Sequence, residues 1–214
     1  IPFADIARNM KELDTINTYL GGHAITIAGF KKLLQYNKSV HVCEIGCGGG
    51  DNLAAIADWC TKKDIAIQVT GIDWNSDCIA IASEKLNRYQ PNLMIADYKD
   101  VTFVDGKPAI IFSSLFCHHF SDEELVYMLQ WMKRQSELGF FINDLHRHPL
   151  AYYSISLLTR LFSKSYLVKN DAPLSVRRGF VKKEWQMLCE QAGIRSYSLQ
   201  WKWAFRWLIC STNH

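Results

Sequence analysis

The sequence lacks a long apolar run, because none of its hydrophobic stretches reaches the roughly 20 residues that a membrane-spanning helix needs. We therefore expect no stable membrane insertion. It also lacks a strong excess of charge, since 24 basic residues nearly balance 21 acidic ones and no basic stripe is present. These features disfavour a nucleic-acid protein that binds through charge alone. With 49% hydrophobic residues, the chain is too apolar to be intrinsically disordered.

Neither a disulfide framework nor a structural zinc site is indicated. The seven cysteines are odd in number, form no C-x-x-C pair and mostly lie in apolar runs. We interpret them as small hydrophobic side chains in a reducing compartment. The expectation is a cytoplasmic protein without a bound metal.

The alternation of apolar runs predicts the fold class. Over residues 39–143, short strand-like runs alternate with segments of helical periodicity. This order is typical of a doubly wound α/β fold, a parallel sheet with helices on both faces. Two helices broken at Gly21–Gly22 are expected before it, so that residues 1–36 form an N-terminal helical cap on a single domain of residues 1–214.

Local signals predict several element boundaries. Ser76 or Asp77 is expected to cap the helix after the second strand, and Ser121 with Glu124 has the pattern of a capping box. Pro149 suits a first helical position.

Residues 147–178, called the insert below, are expected to be helical. One face of the insert is predicted to pack in the core: Leu150, Tyr153, Leu157, Leu158, Leu161 and Phe162. The tail from 194 to 210 predicts two strands, but no Gly or Pro marks their turn.

A glycine-rich loop, EIGCGGG at 44–50, stands between a predicted strand and a predicted helix. Glycines there let the backbone turn sharply and approach a ligand closely. The spacing differs from the dinucleotide fingerprint G-x-G-x-x-G, because Asp51 stands where the third glycine should be, and no P-loop follows. Glu44 would repel a pyrophosphate but suits a cationic ligand or the ammonium of an amino acid.

Two carboxylates follow the next two predicted strands. Asp73 ends the second strand, where a carboxylate accepts hydrogen bonds from a ribose. Asp97 follows the third strand, where it can accept a hydrogen bond from an adenine amino group. A single such Asp is more often a helix cap, but two of them after a glycine loop favour ligand binding.

With these motifs, residues 39–214 resemble class I S-adenosylmethionine-dependent methyltransferases. The resemblance implies a Rossmann-like sheet of seven strands in the order 3-2-1-4-5-7-6, with the last strand antiparallel, and S-adenosylmethionine as cofactor. The implied cofactor contacts are Gly46, Gly48 and Gly50 for the methionine and ribose, Asp73 for the ribose, Trp74 for the adenine face and Asp97 for the adenine amino group. Glu44, Cys47, Tyr98 and Ser113 complete the expected cofactor site.

The loop after the fourth strand, SSLFCHHF at 113–120, should reach the ligand edge of the sheet. Either His118 or His119 is a candidate general base for a hydroxyl. Similar stretches occur in methyltransferases of quinones and aromatic compounds. Residues 143–180 resemble bacterial methyltransferases that act on phenolic or polyketide-derived lipids and quinone-like compounds. These resemblances imply a small apolar or aromatic acceptor, with O-methylation favoured over C-methylation.

The insert has two interpretations. It either packs structurally or forms a lid over an apolar acceptor that is delivered during transient contact with a membrane surface. Arg178 is a candidate latch that would pair with Asp144 or Asp171.

Two other functions remain open: a cofactor-binding module without independent catalysis, and a nucleic-acid methyltransferase. No Asn/Asp-Pro-Pro-Tyr loop follows the fourth strand, which disfavours the second. The oligomeric state is not predicted.

Overall fold

A computed structural model describes residues 2–104 and 106–213. The strands in this part of the chain form one sheet in the order β3-β2-β1-β4-β5-β7-β6. They are β1 (Ser39–Ile45), β2 (Ala66–Asp73), β3 (Asn92–Ile95), β4 (Ile110–Ser114), β5 (Gly139–Leu145), β6 (Tyr197–Lys202) and β7 (Arg206–Thr212). The helices are α1 (Phe3–Tyr19), α2 (Gly22–Leu34), α3 (Asp51–Lys62), α4 (Ser76–Leu86), α5 (Asp122–Gln135), α6 (Pro149–Phe162), α7 (Tyr166–Arg178) and α8 (Lys182–Gln191).

The predicted sheet is confirmed. Strands β1 to β5 pair in parallel, while β7 runs antiparallel to both β5 and β6. The strand order and the antiparallel last strand are those of the Rossmann-like methyltransferase sheet. The two N-terminal helices, separated at Gly21, are also confirmed.

The sheet is covered on both faces, which explains why its central strands are apolar throughout. One hydrophobic cluster joins the sheet to α2, α3 and α4 through residues such as Phe30, Leu53 and Ala82. The other joins it to α5 and α8 through residues such as Leu129 and Trp185. All seven cysteines are buried free thiols in these layers, as the apolar runs predicted.

Helix α4 begins differently from the prediction. Its N-cap is Asn75, whose Oδ1 accepts hydrogen bonds from the N–H groups of Asp77 (2.9 Å) and Cys78 (3.4 Å). Ser76 is therefore already helical, and neither Ser76 nor Asp77 is the cap. The Ser121–Glu124 capping box of α5 and the position of Pro149 in the first turn of α6 are confirmed.

The insert contains two helices, α6 and α7. The second was not separately predicted, because Pro173 within it suggests a helix boundary. The linker between the helices is held by Glu12 of α1, whose carboxylate accepts hydrogen bonds from the N–H groups of Lys164 and Ser165, both at 3.1 Å. The predicted latch is wrong, since Arg178 forms no ion pair within the described residues.

The predicted core face of α6 is also wrong. Its six apolar side chains are exposed, between 40% for Leu158 and 77% for Phe162. The buried side of the helix instead consists of Ala151, Ile155 and Thr159. Ala151 and Ile155 pack with Val176 of α7 and with Ile16 and Leu20 at the end of α1, and the larger side chains lie on the outside.

The aromatic tail forms β6 and β7, and the unmarked turn lies at residues 203–205. Among the described residues, no helix combines the length and the apolar character required to cross a bilayer.

Candidate active site

A cavity of about 660 Å³, called the central cavity below, lies at the carboxyl ends of β1, β4 and β5. Strands β1 and β4 are neighbours, but the helices that follow them, α3 and α5, pack on opposite faces of the sheet. The diverging connections leave a crevice at this point, which is where doubly wound sheets bind ligands. Helix α1, the insert and the turn at 203–205 close the outer side of the cavity.

The glycine loop forms the floor of the central cavity. Gly46 has a φ of +66°, and a Cβ there would overlap the ring of Phe116. Gly48 has a φ of +50° and donates its N–H to Asp73 Oδ2 at 2.9 Å. Both positions thus require glycine, one for space and the other for its left-handed backbone. Met10 of α1 lies close to Gly48 from above.

Asp73 links the loop to the start of α4. Besides Gly48, it receives the N–H of Asn75 on Oδ1 at 2.9 Å. The next residue, Trp74, is 81% exposed, so its indole face is free to stack on a ligand. Asp97 is also exposed at the adjacent strand end, although its Oδ1 accepts the N–H of Lys99 at 3.0 Å and so caps a short 3-10 turn.

Six predicted cofactor residues do not line the central cavity: Gly50, Asp73, Trp74, Asp97, Tyr98 and Ser113. The last two are buried elsewhere. Tyr98 is 4% exposed and packs edge-on against Trp131, with a centroid distance of 5.2 Å. Ser113 is completely buried, and its Oγ lies 3.8 Å from Cys117 Sγ. Ser114 lines the cavity instead, because successive strand residues point to opposite faces.

Glu44 is buried at the cavity wall with half of its carboxylate unsatisfied. Its Oε1 accepts a hydrogen bond from Asn52 Nδ2 at 3.3 Å, while Oε2 has no partner among the described residues. Burial, together with the nearby Asp51 and Asp73 carboxylates, raises the pKa of Glu44 well above its usual value. An ionised Glu44 therefore calls for a cationic ligand. Cys47 lies beside it in the cavity wall as a neutral thiol, since burial raises its pKa.

A buried carboxylate–histidine pair stands on the opposite wall. Nδ1 of His118 lies 2.8 Å from Asp144 Oδ1. Asp144 also accepts three backbone N–H groups, from Phe116 (3.2 Å), Cys117 (2.8 Å) and Leu145 (2.7 Å). Burial would raise the pKa of Asp144, but His118, these hydrogen bonds and Arg206 outweigh it and lower the pKa. An ionised carboxylate only accepts hydrogen bonds, so Nδ1 carries the proton and Nε2 is left as the basic nitrogen.

His119 has a different environment. Its ring centroid lies 4.3 Å from that of His118, but its side chain is exposed at the cavity edge. Partial loss of hydration and the proximity of His118 and Arg178 lower the pKa of His119 to about 4. His119 is consequently neutral at pH 7 and has no carboxylate partner to orient it within the described residues.

The sequence analysis missed Asp144 as a functional residue. Its signal was present, because Asp144 is the next-to-last residue of β5, as Asp73 is the last of β2, at the ligand edge of the sheet. We considered it only as a partner for Arg178.

The outer half of the central cavity is mostly apolar. Its walls include the following side chains: Leu13, Ile16 and Leu20 from α1, Ile155 and Leu158 from α6, Leu174 and Val176 from α7, and Trp203 and Phe205 from the turn. Tyr153 does not belong to this wall and instead borders a shallower depression with Arg147 and Arg177. Within the described residues, no group of three His, Cys, Asp or Glu side chains is placed to hold a metal ion.

Comparison with known proteins gives a family match for part of the chain. Residues 42–137 match the family described as "Methyltransferase domain". No curated protein matches the sequence.

Several solved structures share the fold. The plantazolicin methyltransferase BpumL, solved with S-adenosylhomocysteine, is 17% identical, with a TM-score of 0.72 over 97% of this chain and 90% of that chain. An S-adenosylmethionine-dependent methyltransferase from Aquifex aeolicus is 18% identical, with a TM-score of 0.66 over 100% of both chains. Magnesium protoporphyrin IX methyltransferase from Synechocystis PCC 6803, solved with S-adenosylmethionine, is 13% identical, with a TM-score of 0.62 over 94% of this chain and 84% of that chain. Residues 42–137 thus match a methyltransferase-domain family, and the chain as a whole has the fold of S-adenosylmethionine-dependent methyltransferases.

Proposed function

We propose that the protein transfers a methyl group from S-adenosylmethionine to an oxygen of a small, apolar or aromatic acceptor. The observation that carries the proposal is the His118–Asp144 pair, which lies in the wall of a cavity with a glycine loop on one side and apolar side chains on the other. The family match over residues 42–137 supports the reaction type. The cofactor is supported by the structural neighbours that hold S-adenosylmethionine or S-adenosylhomocysteine.

The residues of the cavity floor fit this cofactor. Gly46 and Gly48 leave the backbone open to close approach, and the unpaired Oε2 of Glu44 offers an acceptor for an ammonium group. We assign Asp73 to the ribose, Trp74 to the adenine face and Asp97 to the adenine amino group. When bound, S-adenosylmethionine supplies an electrophilic methyl group, and the electron pair of the broken S–C bond stays on sulfur.

The chain's own residues have three tasks in this reaction. Asp144 orients the His118 ring and fixes the proton of the neutral imidazole on Nδ1, so that Nε2 can take the proton of the acceptor hydroxyl as the O–C bond forms. The apolar side chains of α1 and the insert exclude water and orient the acceptor. The proton then passes from His118 to solvent. A base at this position suits an acceptor whose reacting atom itself carries an acidic proton, such as a phenolic oxygen.

The two alternatives are less well supported. A module that only binds the cofactor does not need a buried carboxylate–histidine pair beside an apolar chamber. A nucleic-acid strand would meet mostly apolar side chains in the outer half of the cavity, rather than a basic surface.

The first test is methyl transfer from tritiated S-adenosylmethionine to para-hexylphenol by the purified protein. We expect a labelled methyl ether, identified by mass spectrometry, and no label in DNA or RNA supplied at equal concentration. A panel of phenols, quinols and amines that all stay unlabelled, while S-adenosylhomocysteine still binds in calorimetry, would favour the binding-only alternative.

We further propose that the exposed face of α6 docks on an anionic membrane surface from which the acceptor enters. The face presents Tyr153, Leu157, Leu161 and Phe162, each at least 60% exposed. Residues 146–170 contain four Lys or Arg and no Asp or Glu. Arg147 pairs with Glu184, but Arg160, Lys164 and Lys169 form no ion pair among the described residues. An apolar helix face flanked by positive charge is typical of helices that lie in the interface of an anionic bilayer.

If this face docks on an anionic membrane, the protein should bind vesicles of phosphatidylglycerol but not vesicles of phosphatidylcholine alone. Co-sedimentation measures this binding. Leu157→Ser combined with Leu161→Ser should weaken binding about tenfold or more, because burying one leucine is worth roughly 1.5–3 kcal/mol. Tyr36→Ser is the matched control, since Tyr36 is 99% exposed but lies outside the insert. Equal binding of the natural protein, the double serine variant and Tyr36→Ser would contradict the proposal that this face docks on a membrane.

Cytoplasmic localisation stays a prediction.

A further inference from the structure

The central cavity contains a cation that the proposed reaction does not use. Arg206 begins β7, directly opposite Leu145 of β5 in the sheet register. Its side chain is 3% exposed and lines the cavity. Nη2 donates to Asn17 Oδ1 at 2.8 Å, whereas Nη1 has no hydrogen-bond partner among the described residues.

No carboxylate among the described residues forms an ion pair with this guanidinium. Asp144 is close enough to influence Arg206, but its oxygens already accept His118 and three backbone N–H groups. Burial lowers the pKa of Arg206 to about 10, with Asp144 opposing the shift, so Arg206 remains charged at neutral pH. A buried charge whose N–H donor has no partner destabilises the folded protein, unless a ligand accepts a hydrogen bond from that donor.

Nη1 of Arg206 is one of several unpartnered polar atoms that line the cavity. Besides Arg206, the cavity-lining residues with a buried, unpartnered polar atom are Asn9, Glu44 and Ser114. We have assigned Glu44 to the cofactor ammonium. Ser114 precedes the turn that carries His118, so its hydroxyl and the Arg206 guanidinium belong to the half of the cavity that holds the acceptor. Both can donate a hydrogen bond, which indicates an oxygen acceptor on the ligand.

We infer that the acceptor carries an anionic oxygen, a carboxylate or a phenolate, which binds Nη1 of Arg206 while a neighbouring hydroxyl lies at His118. This inference rests on the proposed function, because it assigns the outer cavity to the acceptor. It narrows the acceptor from any apolar aromatic compound to one with an acidic substituent. A charge-assisted hydrogen bond in a water-poor cavity is strong enough to select such compounds over neutral analogues.

Binding rather than turnover tests the inference, so the test does not require methyl transfer. The probes are para-hexylbenzoate and para-hexylbenzamide, which differ in charge but little in size. Calorimetry is performed on protein saturated with S-adenosylhomocysteine. We expect the natural protein to bind the benzoate about tenfold or more tightly than the benzamide, equivalent to about 1.4 kcal/mol. In Arg206→Met, the ratio of the two affinities should fall to about one.

Arg195→Met is the matched control, because Arg195 is exposed and does not line the cavity, yet its loss changes the net charge equally. Its affinity ratio should equal that of the natural protein. If Arg206→Met does not fold, Arg206→Gln replaces it, and its ratio should also fall to about one, because the amide can still donate to Asn17 but carries no charge.

Equal affinities in the natural protein, or a preference that survives the Arg206 substitutions, would overturn the inference. If Arg206 served only to join α1 to β7, its replacement would lower the melting temperature and weaken both probes alike. Failure of the proposed function has a different signature, in which the benzoate preference is present but neither para-hexylphenol nor 4-hexylsalicylate, which has a carboxylate beside its hydroxyl, is methylated.

Discussion

Replacement of Gly48 by valine should abolish cofactor binding while the fold survives. Gly48 has a positive φ, which a β-branched residue adopts only with strain of roughly 1–3 kcal/mol. Space alone does not forbid a Cβ, since its nearest neighbour would be Met10 Sδ at 3.6 Å. The branched side chain would, however, project from the loop that must meet the ligand. We expect the affinity for S-adenosylhomocysteine in calorimetry to fall by about 100-fold or more, equivalent to about 2.7 kcal/mol.

The chain offers a matched control for this strain. Gly193 has a φ of +70°, closes α8 and has nothing within 4 Å of an added Cβ. Gly193→Val should lower the melting temperature by a similar amount but leave S-adenosylhomocysteine binding intact. Undiminished binding by Gly48→Val would show that the loop does not contact the cofactor.

The second large effect is expected at His118. Its replacement by alanine should lower kcat by roughly 10²–10⁴, the usual contribution of a general base. Asp144→Asn should also lower kcat, because an amide no longer fixes the proton on Nδ1. Cofactor affinity should change little in either variant. Steady-state kinetics with para-hexylphenol measures kcat, and calorimetry with S-adenosylhomocysteine measures the cofactor affinity.

His119→Ala is the comparison that decides between the two histidines. His119 is exposed and lacks an orienting carboxylate in the described part of the chain, so its replacement should cost much less than that of His118. If His119→Ala were the inactive variant and His118→Ala retained activity, the assignment would be reversed. Normal turnover without both histidines would leave catalysis to proximity alone.

The pH profile provides an independent check. A general base works only when deprotonated, and His119, whose pKa is about 4, is already deprotonated above about pH 5. A rate that still rises between about pH 5 and pH 8 therefore reports another group. Any such rise in the natural protein should persist in His119→Ala, measured as kcat against pH.

Sequence patterns predicted the sheet and the glycine loop because both depend on local order. Apolar runs that end in glycine or Asp, as at Ile45 and Asp73, define strands whose ends must meet at one edge. The direction of α6 was less predictable. Both of its sides contain apolar residues at helical spacing, and only the tertiary packing determines that Ile155 is buried while Leu157 is exposed.

The acceptor half of the candidate site could not be predicted from the sequence, for a different reason. Asn17 and Arg206 form a hydrogen bond across 189 positions of sequence, and no local pattern reports such a pair. Asp144 and His118 are 26 positions apart and come together through the parallel pairing of β4 and β5. Ser113 was predicted at the cofactor site, whereas Ser114 lines the cavity, because a one-residue difference in a strand reverses the face on which a side chain lies.

Separate stretches of the sequence form the cofactor side and the acceptor side of the cavity, which matters for re-engineering this protein. The glycine loop and Asp73 lie inside the family-matched segment 42–137, whereas α1, the insert and Arg206 lie outside it. Substrate range could therefore diverge by exchange of these flanking segments over an unchanged cofactor platform. Transplanting the insert alone into a related scaffold would not carry the preference with it, because the guanidinium and its asparagine partner would be left behind. A productive chimera would need to move three separate stretches of chain together.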